Sequence, residues 1–278
     1  MQKSFKSVIF QAFFFMGLLF VLNLSLRAVF ILCFKDGVNL AQWELFLANA
    51  FRYDGQIIGV MSVVFFFLAL LPKEKIVKIY AFLVFFISTF VSVANIGFYG
   101  IYQDVFNASL LGLIYDDRKA IFETALGADY GLTYKVLLWL VVSVLFYALW
   151  AFFQAQIAKI QGKKFRISLF VAFALLCLFE INGQIGLKGI SLGKEIVPVP
   201  NAFLRQITQG AFRDLLYVYM SYAKIAKSTF KDYTDESPLT ATRKFFALND
   251  LNSSEFNLSE LLQKEVSNPS KAQINHIF

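Results

Sequence analysis

The sequence predicts an all-α membrane protein with five transmembrane helices, interfacial amphipathic helices and a short extracytoplasmic C-terminal linker. Of its 278 residues, 58% are hydrophobic and 16% are charged, and 34 are phenylalanine. The mean hydropathy is +0.61. A water-soluble chain of this length has too small a core to bury so much apolar surface. Apolar stretches near the ~20 residues that cross a bilayer recur along the chain, and short basic loops alternate with acidic ones.

Five stretches are apolar enough to be transmembrane helices. The first, 7–34, follows Lys3 and Lys6 as a signal peptide would. It is too long for the apolar core of a signal peptide and has no small-x-small cleavage site, so we interpret it as an uncleaved helix. The second is short and ends at Pro72; it is expected to stand upright or to reach the interfaces with its flanks. The remaining predicted spans after 7–34 are 55–71, 77–102, 132–153 and 165–185.

The loop charges predict the orientation of these spans. The N-terminus and the two loops on its side carry nine basic residues and one acidic residue, whereas the opposite loops carry eight acidic and five basic residues. Basic loops stay cytoplasmic, so the N-terminus is predicted inside and the C-terminal segment outside. The net charge of +7 is explained by this bias and by anionic lipid. A nucleic-acid partner is therefore not predicted.

Two amphipathic stretches are expected to lie on the outer membrane surface. The first is 39–51, with Trp43 and one charge, which is too short to cross. The second is 201–231, where an apolar face is flanked by Arg205, Arg213 and three lysines, a composition that suits the headgroup layer. From residue 232 the chain turns polar, as in a linker. The predicted domains are therefore 1–185, transmembrane; 186–231, juxtamembrane; and 232–278, an extracytoplasmic linker.

Two ionisable residues lie within predicted spans. Arg27 is in the outer half of the first span and Glu180 near the outer end of the fifth. A buried arginine costs about 2.5–3.5 kcal/mol on insertion scales. Arg27 is expected either to snorkel to the interface or to contact a lipid phosphate or a buried carboxylate. Glu180 needs a partner as well, and Arg27 is the candidate at similar depth.

Further polar residues are predicted at the outer ends of the second and third spans. Arg52 and Asp54 either neutralise each other at a helix start, the favoured interpretation, or hold a polar headgroup. Asn95, Tyr99 and Tyr102 share a helical face and either line an outward-opening cavity or belong to the interfacial aromatic belt. Asp104 and Asn107 follow at the same end.

Four features together resemble the membrane half of lipoteichoic-acid-synthase-like proteins. They are Arg27 late in the first span, FRYDGQ before the second, NIGFYGIYQDVFN closing the third and VPNAFLRQITQGAFRDLLYVY after the fifth. The related lipid A phosphoethanolamine transferases have the same five-helix layout and a similar FYG…D…N run. Both belong to the sulfatase and alkaline-phosphatase superfamily, and the resemblance covers nearly the whole chain.

The resemblance implies a phospholipid-headgroup transferase, transferring phosphoglycerol or phosphoethanolamine, in the cell inner membrane and envelope. In such proteins an outward-facing domain with a threonine nucleophile and a divalent-metal site follows the linker. We expect this chain to be the membrane-anchoring and lipid-access portion of such a protein, with membrane phospholipid as partner and the catalytic domain encoded downstream. Arg27, Arg52, Asp54, Tyr99, Asp104 and Asn107 match family positions, with structural or headgroup-contact roles.

No catalytic residue, cofactor or metal site is predicted within the chain itself. His276 is the only histidine, and no Ser-His-Asp set or glycine-rich phosphate loop occurs in the sequence. Whether the chain takes part in an enzyme is left open by its residues. The alternative function is a stand-alone membrane protein that binds lipid or a partner subunit. A transporter is the weakest hypothesis, because no internal repeat is found.

Overall fold

The computed structural model describes residues 5–34, 43–112, 123, 131–157, 167–182, 197–227, 236 and 240. Within them the chain is helical and contains no strand. The α-helices, numbered in chain order, are α1 (Phe5–Phe34), α2 (Trp43–Leu70), α3 (Glu74–Tyr102), α4 (Leu132–Ile157), α5 (Ile167–Asn182), α6 (Ala202–Thr208) and α7 (Ala211–Lys227); a 3₁₀ helix covers Ala108–Leu111 between α3 and α4. The chain divides into two compact units, 1–224 and 225–278. Most of the second unit lies outside the described residues.

Four helices, α1 to α4, are long and apolar enough to cross a membrane. The all-helical, apolar character expected of a multi-pass membrane protein is therefore confirmed, and the first four predicted spans each correspond to one of these helices. The fifth predicted span corresponds to α5, which is apolar but has only 16 residues. The count of five spans stays a prediction, as does the orientation of the termini. The predicted linker, 232–278, lies almost wholly outside the described residues.

The prediction of a separate interfacial helix over 39–51 is wrong for residues 43–51, the part of this segment that the structure describes. From Trp43 onward this segment forms the first turns of α2, which continues to Leu70 without a break. The reason lies in its buried stripe. Phe46, Ala50 and Tyr53 are each at most 2% exposed and recur at helical spacing. The face of α2 that packs on the bundle therefore begins before residue 55, where the predicted span starts.

The centre of the bundle is a packed aromatic core. Phe15 of α1 stacks on Phe65 of α2 with 4.3 Å between ring centroids, and Phe85 of α3 meets Phe15 edge-on at 5.5 Å. Trp150 of α4 approaches Phe65 edge-on at 5.9 Å and is fully buried. In lipid, where apolar surface has no water to escape, such packing and a few hydrogen bonds hold helices together.

Two hydrogen bonds fix the position of α4 along its neighbours α3 and α1. The Trp139 indole N–H donates to the carbonyl of Phe86 on α3 at 3.0 Å. The Ser7 hydroxyl, at the start of α1, donates to the carbonyl of Ile157 at 3.1 Å. These bonds place the start of α1 beside the end of α4, so the end of α1 and the end of α3 lie together at the opposite end of the bundle.

That opposite end is closed by the short elements. Gln103 terminates α3 in the left-handed conformation, φ 54°, and its N–H bonds to the Tyr99 carbonyl at 2.8 Å. The Asn107 side chain caps the 3₁₀ helix at the N–H of Ser109. Asn201 caps α6 in the same way, accepting from the Leu204 N–H at 3.0 Å.

Candidate functional site: a buried polar cluster

A salt bridge between α1 and α2 forms the centre of the polar cluster. Arg27 Nη2 lies 2.5 Å from Asp54 Oδ1, and Arg27 Nε donates to Asp54 Oδ2 at 3.2 Å. The Arg27 side chain is 7% exposed and the Asp54 side chain 13%. The contact is the two-pronged geometry that a guanidinium and a carboxylate favour. An arginine within a span is thus neutralised by a carboxylate of the adjacent helix.

The same guanidinium also holds α6. Arg27 Nη1 donates to the carbonyl oxygens of Ile207 and Thr208, the latter at 2.9 Å. These carbonyls belong to the last turn of α6 and have no partner within that helix. A positive charge at a helix C-terminus is also favourable to the helix dipole. Arg27 therefore joins three elements, α1, α2 and α6.

Gly210, between α6 and α7, makes this approach possible. Its φ is +83°, which glycine adopts without the strain that a side chain would bring. A Cβ atom at this position would lie 2.6 Å from Arg27 Nη2 and 2.9 Å from Asp54 Oδ1. The turn after α6 thus passes directly over the salt bridge and covers it.

Two charged residues at the start of α7 are also directed into the bundle. Arg213 is 3% exposed, donates to Gln56 Oε1 of α2 and places its guanidinium carbon 4.6 Å from the centroid of the Tyr53 ring. Such a contact combines a hydrogen bond with a cation–π attraction. Asp214 is 5% exposed and accepts from Asn95 Nδ2 of α3 at 3.4 Å. The start of α7 is therefore attached to both α2 and α3.

Asn95 and Asp104 extend the cluster to the end of α3. Asn95, 3% exposed, accepts from the backbone N–H of Phe106 at 2.9 Å, so it secures the turn that leaves α3. Asp104 accepts from Asn107 Nδ2 at 2.8 Å and from Gln206 Nε2 of α6 at 3.1 Å. These bonds link α3, the 3₁₀ turn and α6 in one network.

Three cavities adjoin the cluster. Two are small, about 30 Å³ and 10 Å³, and have polar lining from Asn23, Ser88, Ser92 and Asn95. One water needs roughly 10–15 Å³ measured in this way, so these spaces fit a water or two and no larger ligand. The third, of about 660 Å³, is called the apolar groove here: it is bounded by Ile57, by Leu110 and Leu111, and by the face of α7 that runs from Phe212 to Tyr222.

The structure changes the pairing predicted for Arg27, Arg52 and Glu180. The partner of Arg27 is Asp54, a buried carboxylate, which was one of the two predicted alternatives; Glu180 is not the partner. Asp54 is thereby engaged by Arg27 and not by its neighbour Arg52, whose guanidinium carbon lies 5.8 Å from the Tyr53 ring centroid. Glu180 lies instead against Gly55, because the missing side chain there leaves space for its carboxylate.

Asn95, Tyr99 and Tyr102 do not line one cavity together. Asn95 borders the small polar cavity next to Arg27. Tyr99, 8% exposed, packs against the rings of Phe30 and Phe203 at 5.2 Å and 5.5 Å. Tyr102 is 46% exposed. Tyr99 is thus packed among aromatic rings and Tyr102 lies at the surface, and neither lines the small polar cavity that Asn95 borders.

The prediction that 201–231 lies on the surface with a basic rim is also wrong in part. Over 201–227 the chain forms two helices separated at Gln209 and Gly210, and Arg213 is buried. Arg205 is exposed, as predicted. Sequence reasoning missed Gln56, Arg213, Asp214 and Gly210 as members of the cluster. The available signal was the adjacent pair of opposite charges, Arg213 and Asp214, between the apolar residues Ala211–Phe212 and Leu215–Leu216.

No metal-binding group of three or more histidine, cysteine or acidic side chains occurs among the described residues. The arrangement is one of charge neutralisation and attachment, in which each charged side chain meets a polar partner from another helix. Comparison with protein-family models, with curated proteins and with solved structures finds no match for this chain.

Proposed function

We propose that this chain is the membrane platform of a phospholipid-headgroup transferase of the sulfatase superfamily, inactive by itself. The observation that carries the proposal is the polar cluster, which attaches α6 and α7 to the ends of α1, α2 and α3. The proposal gives this cluster one task, to hold the segment after the last apolar helix at a defined place on the bundle.

The strength of the attachment supports this task. Arg27, Arg213 and Asp214 are almost fully buried, and each takes part in a hydrogen bond to another element. A hydrogen bond to a charged group contributes about 1.5–3 kcal/mol in a protein. A segment that only rested in the headgroup layer would leave these charges in water. Their burial favours a positioned support over a loosely associated anchor.

The resemblance supplies the chemistry of the proposal. The matched motifs contain the residues of the cluster: Arg27, Asp54 in FRYDGQ, Asn95 and Asp104 in NIGFYGIYQDVFN, and Arg213 in the segment after the fifth apolar stretch. Their contacts with one another support the view that these motifs form one unit. The nucleophile and metal site of the proposed transferase are assigned to a domain encoded downstream, so the divalent metal would bind there.

The first test is the coding sequence after codon 278. An in-frame or frameshifted sulfatase-like sequence with a threonine and metal ligands would support the proposal. Its absence would favour the alternative, a stand-alone membrane protein that binds lipid or a partner subunit.

The second test is biochemical. The chain in phospholipid vesicles with Mg²⁺ or Mn²⁺ should release no phosphoglycerol or phosphoethanolamine, and measured turnover would contradict its assignment as a support. In the protein that includes the proposed downstream domain, Arg27→Met should reduce headgroup transfer more than Arg205→Met does. Arg205 is the matched control because it is an exposed arginine of α6, the helix whose carbonyl groups Arg27 binds. Equal activities would contradict a positioning role for the cluster.

A further inference from the structure

The apolar groove lies beside the start of α7 and has a volume of about 660 Å³. Ile57 of α2 forms one wall, Leu110 and Leu111 of the 3₁₀ helix another, and α7 the third. Ligand sites commonly have volumes of about 300–1,000 Å³ and mainly apolar walls. The groove therefore has the size and lining of a ligand site, in contrast to the two water-sized cavities.

The two faces of α7 explain why the groove is apolar. Phe212, Leu215, Tyr219 and Tyr222 recur at intervals of three and four residues and share one face. That face lines the groove. Arg213 is directed instead toward Gln56 and Tyr53. None of the described residues that line the groove is charged, so a charged or peptide-like occupant would find no charged partner among them.

The position of the groove identifies its surroundings. Ile57 is one helical turn from Asp54 on α2, a helix apolar enough to cross the membrane. Tyr219 is 66% exposed and Tyr222 41%, and tyrosines of this kind are typical of the boundary between headgroups and hydrocarbon. These features favour a place for the groove at the boundary between the hydrocarbon layer and the headgroups.

We propose that the apolar groove binds one acyl chain of a membrane phospholipid, with the lipid's glycerol region at the end marked by Tyr219 and Tyr222. This inference deepens the proposed function, since it gives the lipid-access portion a site. The groove offers the acyl chain contact on three sides, where an open helix face offers contact on one. The surrounding lipid is as apolar as the groove, so hydrophobicity alone does not retain a lipid there. The additional packing contacts are what favour a bound lipid over exchange with the bilayer.

The test is photocrosslinking in vesicles of phosphatidylethanolamine and phosphatidylglycerol. The probe is a phosphatidylglycerol with a diazirine in one acyl chain, and mass spectrometry identifies the crosslinked peptides. Leu216→Trp adds bulk inside the groove, and Met220→Trp adds it on an exposed part of α7 that does not line the groove. Crosslinking to α7 and to the 3₁₀ helix is expected in the unaltered chain. Leu216→Trp should lower that yield by roughly fivefold, the change that about 1 kcal/mol of lost contact gives, and Met220→Trp should not.

Two results would overturn the inference. One is crosslinking spread evenly over the exposed apolar faces, for example along α4, which would mean surrounding lipid only. The other is an equal loss of crosslinking in the two tryptophan variants. Leu111→Trp narrows the groove from its opposite wall and replaces Leu216→Trp if that variant does not fold. A failed crosslinking test would leave the proposed function standing, because that proposal depends on the downstream coding sequence and on Arg27.

Discussion

Replacement of Arg27 by methionine should destabilise the protein by about 3–5 kcal/mol, the usual cost of removing one partner from a buried ion pair. The substitution keeps an unbranched apolar side chain and removes every donor. Asp54 would lose both of its contacts with the guanidinium, at 2.5 Å and 3.2 Å, and the carbonyls of Ile207 and Thr208 would lose theirs. With the two side chains 7% and 13% exposed, water can replace little of what is lost.

The measurement is unfolding of the purified chain in mixed detergent micelles, followed by circular dichroism and tryptophan fluorescence. Arg205→Met is the matched control. It makes the same chemical change on an exposed residue of α6 and should alter the free energy of unfolding by no more than about 0.5 kcal/mol. A second variant, Arg27→Met combined with Asp54→Leu, removes both charges. It should recover a large part of the loss, because the unpaired carboxylate is then absent.

Either of two results would show that the salt bridge does not stabilise the protein in this way. If Arg27→Met unfolds at the same denaturant concentration as Arg205→Met, the salt bridge does not hold the bundle end together. If the double variant is as unstable as the sum of its single variants, the two side chains are not energetically coupled, and their 2.5 Å contact contributes nothing specific to stability.

Three further predictions concern other parts of the chain. Gly210→Ala should cost about 1–3 kcal/mol through its positive φ, with added crowding of the salt bridge, whereas Gly17→Ala, which meets no atom within 4 Å, should be neutral or slightly stabilising in the same unfolding assay. Gly55→Ala should weaken the packing of α5 on α2 because a Cβ would overlap the Glu180 carboxylate, and Glu180→Ala should restore most of the loss of stability; no restoration would contradict this packing. Lys75→Cys, in the first turn of α3, should react with an impermeant maleimide only after the cells are permeabilised, and labelling of intact cells would overturn the predicted orientation.

Much of the membrane architecture was predictable from sequence because insertion depends on local composition. Three of the first four apolar stretches form helices whose bounds lie within a few residues of the prediction. The upper part of α2 was the exception. Its start at Trp43 contains Asn49, Arg52 and Asp54, which lower the local hydropathy and hide a helix that the bundle nevertheless stabilises by burying Phe46 and Tyr53.

The candidate site was predictable only as a set of residues. Arg27, Asp54, Asn95, Asp104 and Asn107 were singled out by an unusual position in or beside an apolar span, and all five make contacts at one end of the bundle. Their partners were not predictable in the same way. A charge in a span demands a partner, but several carboxylates lie at similar depth, and hydropathy does not distinguish among them.

Sequence alone determined that this chain is a helical membrane protein, where its apolar helices lie and which of its polar residues are exceptional. These properties depend on the summed hydropathy of the side chains in one short segment, because the transfer of a helix into lipid depends on the side chains it carries. Tertiary structure alone decided that Arg27 meets Asp54 and not Glu180, and that Arg213 and Asp214 are directed inward. Those contacts depend on the rotation of each helix about its axis and on the return of α6 and α7 over the bundle, and both are settled by packing between segments far apart in the chain.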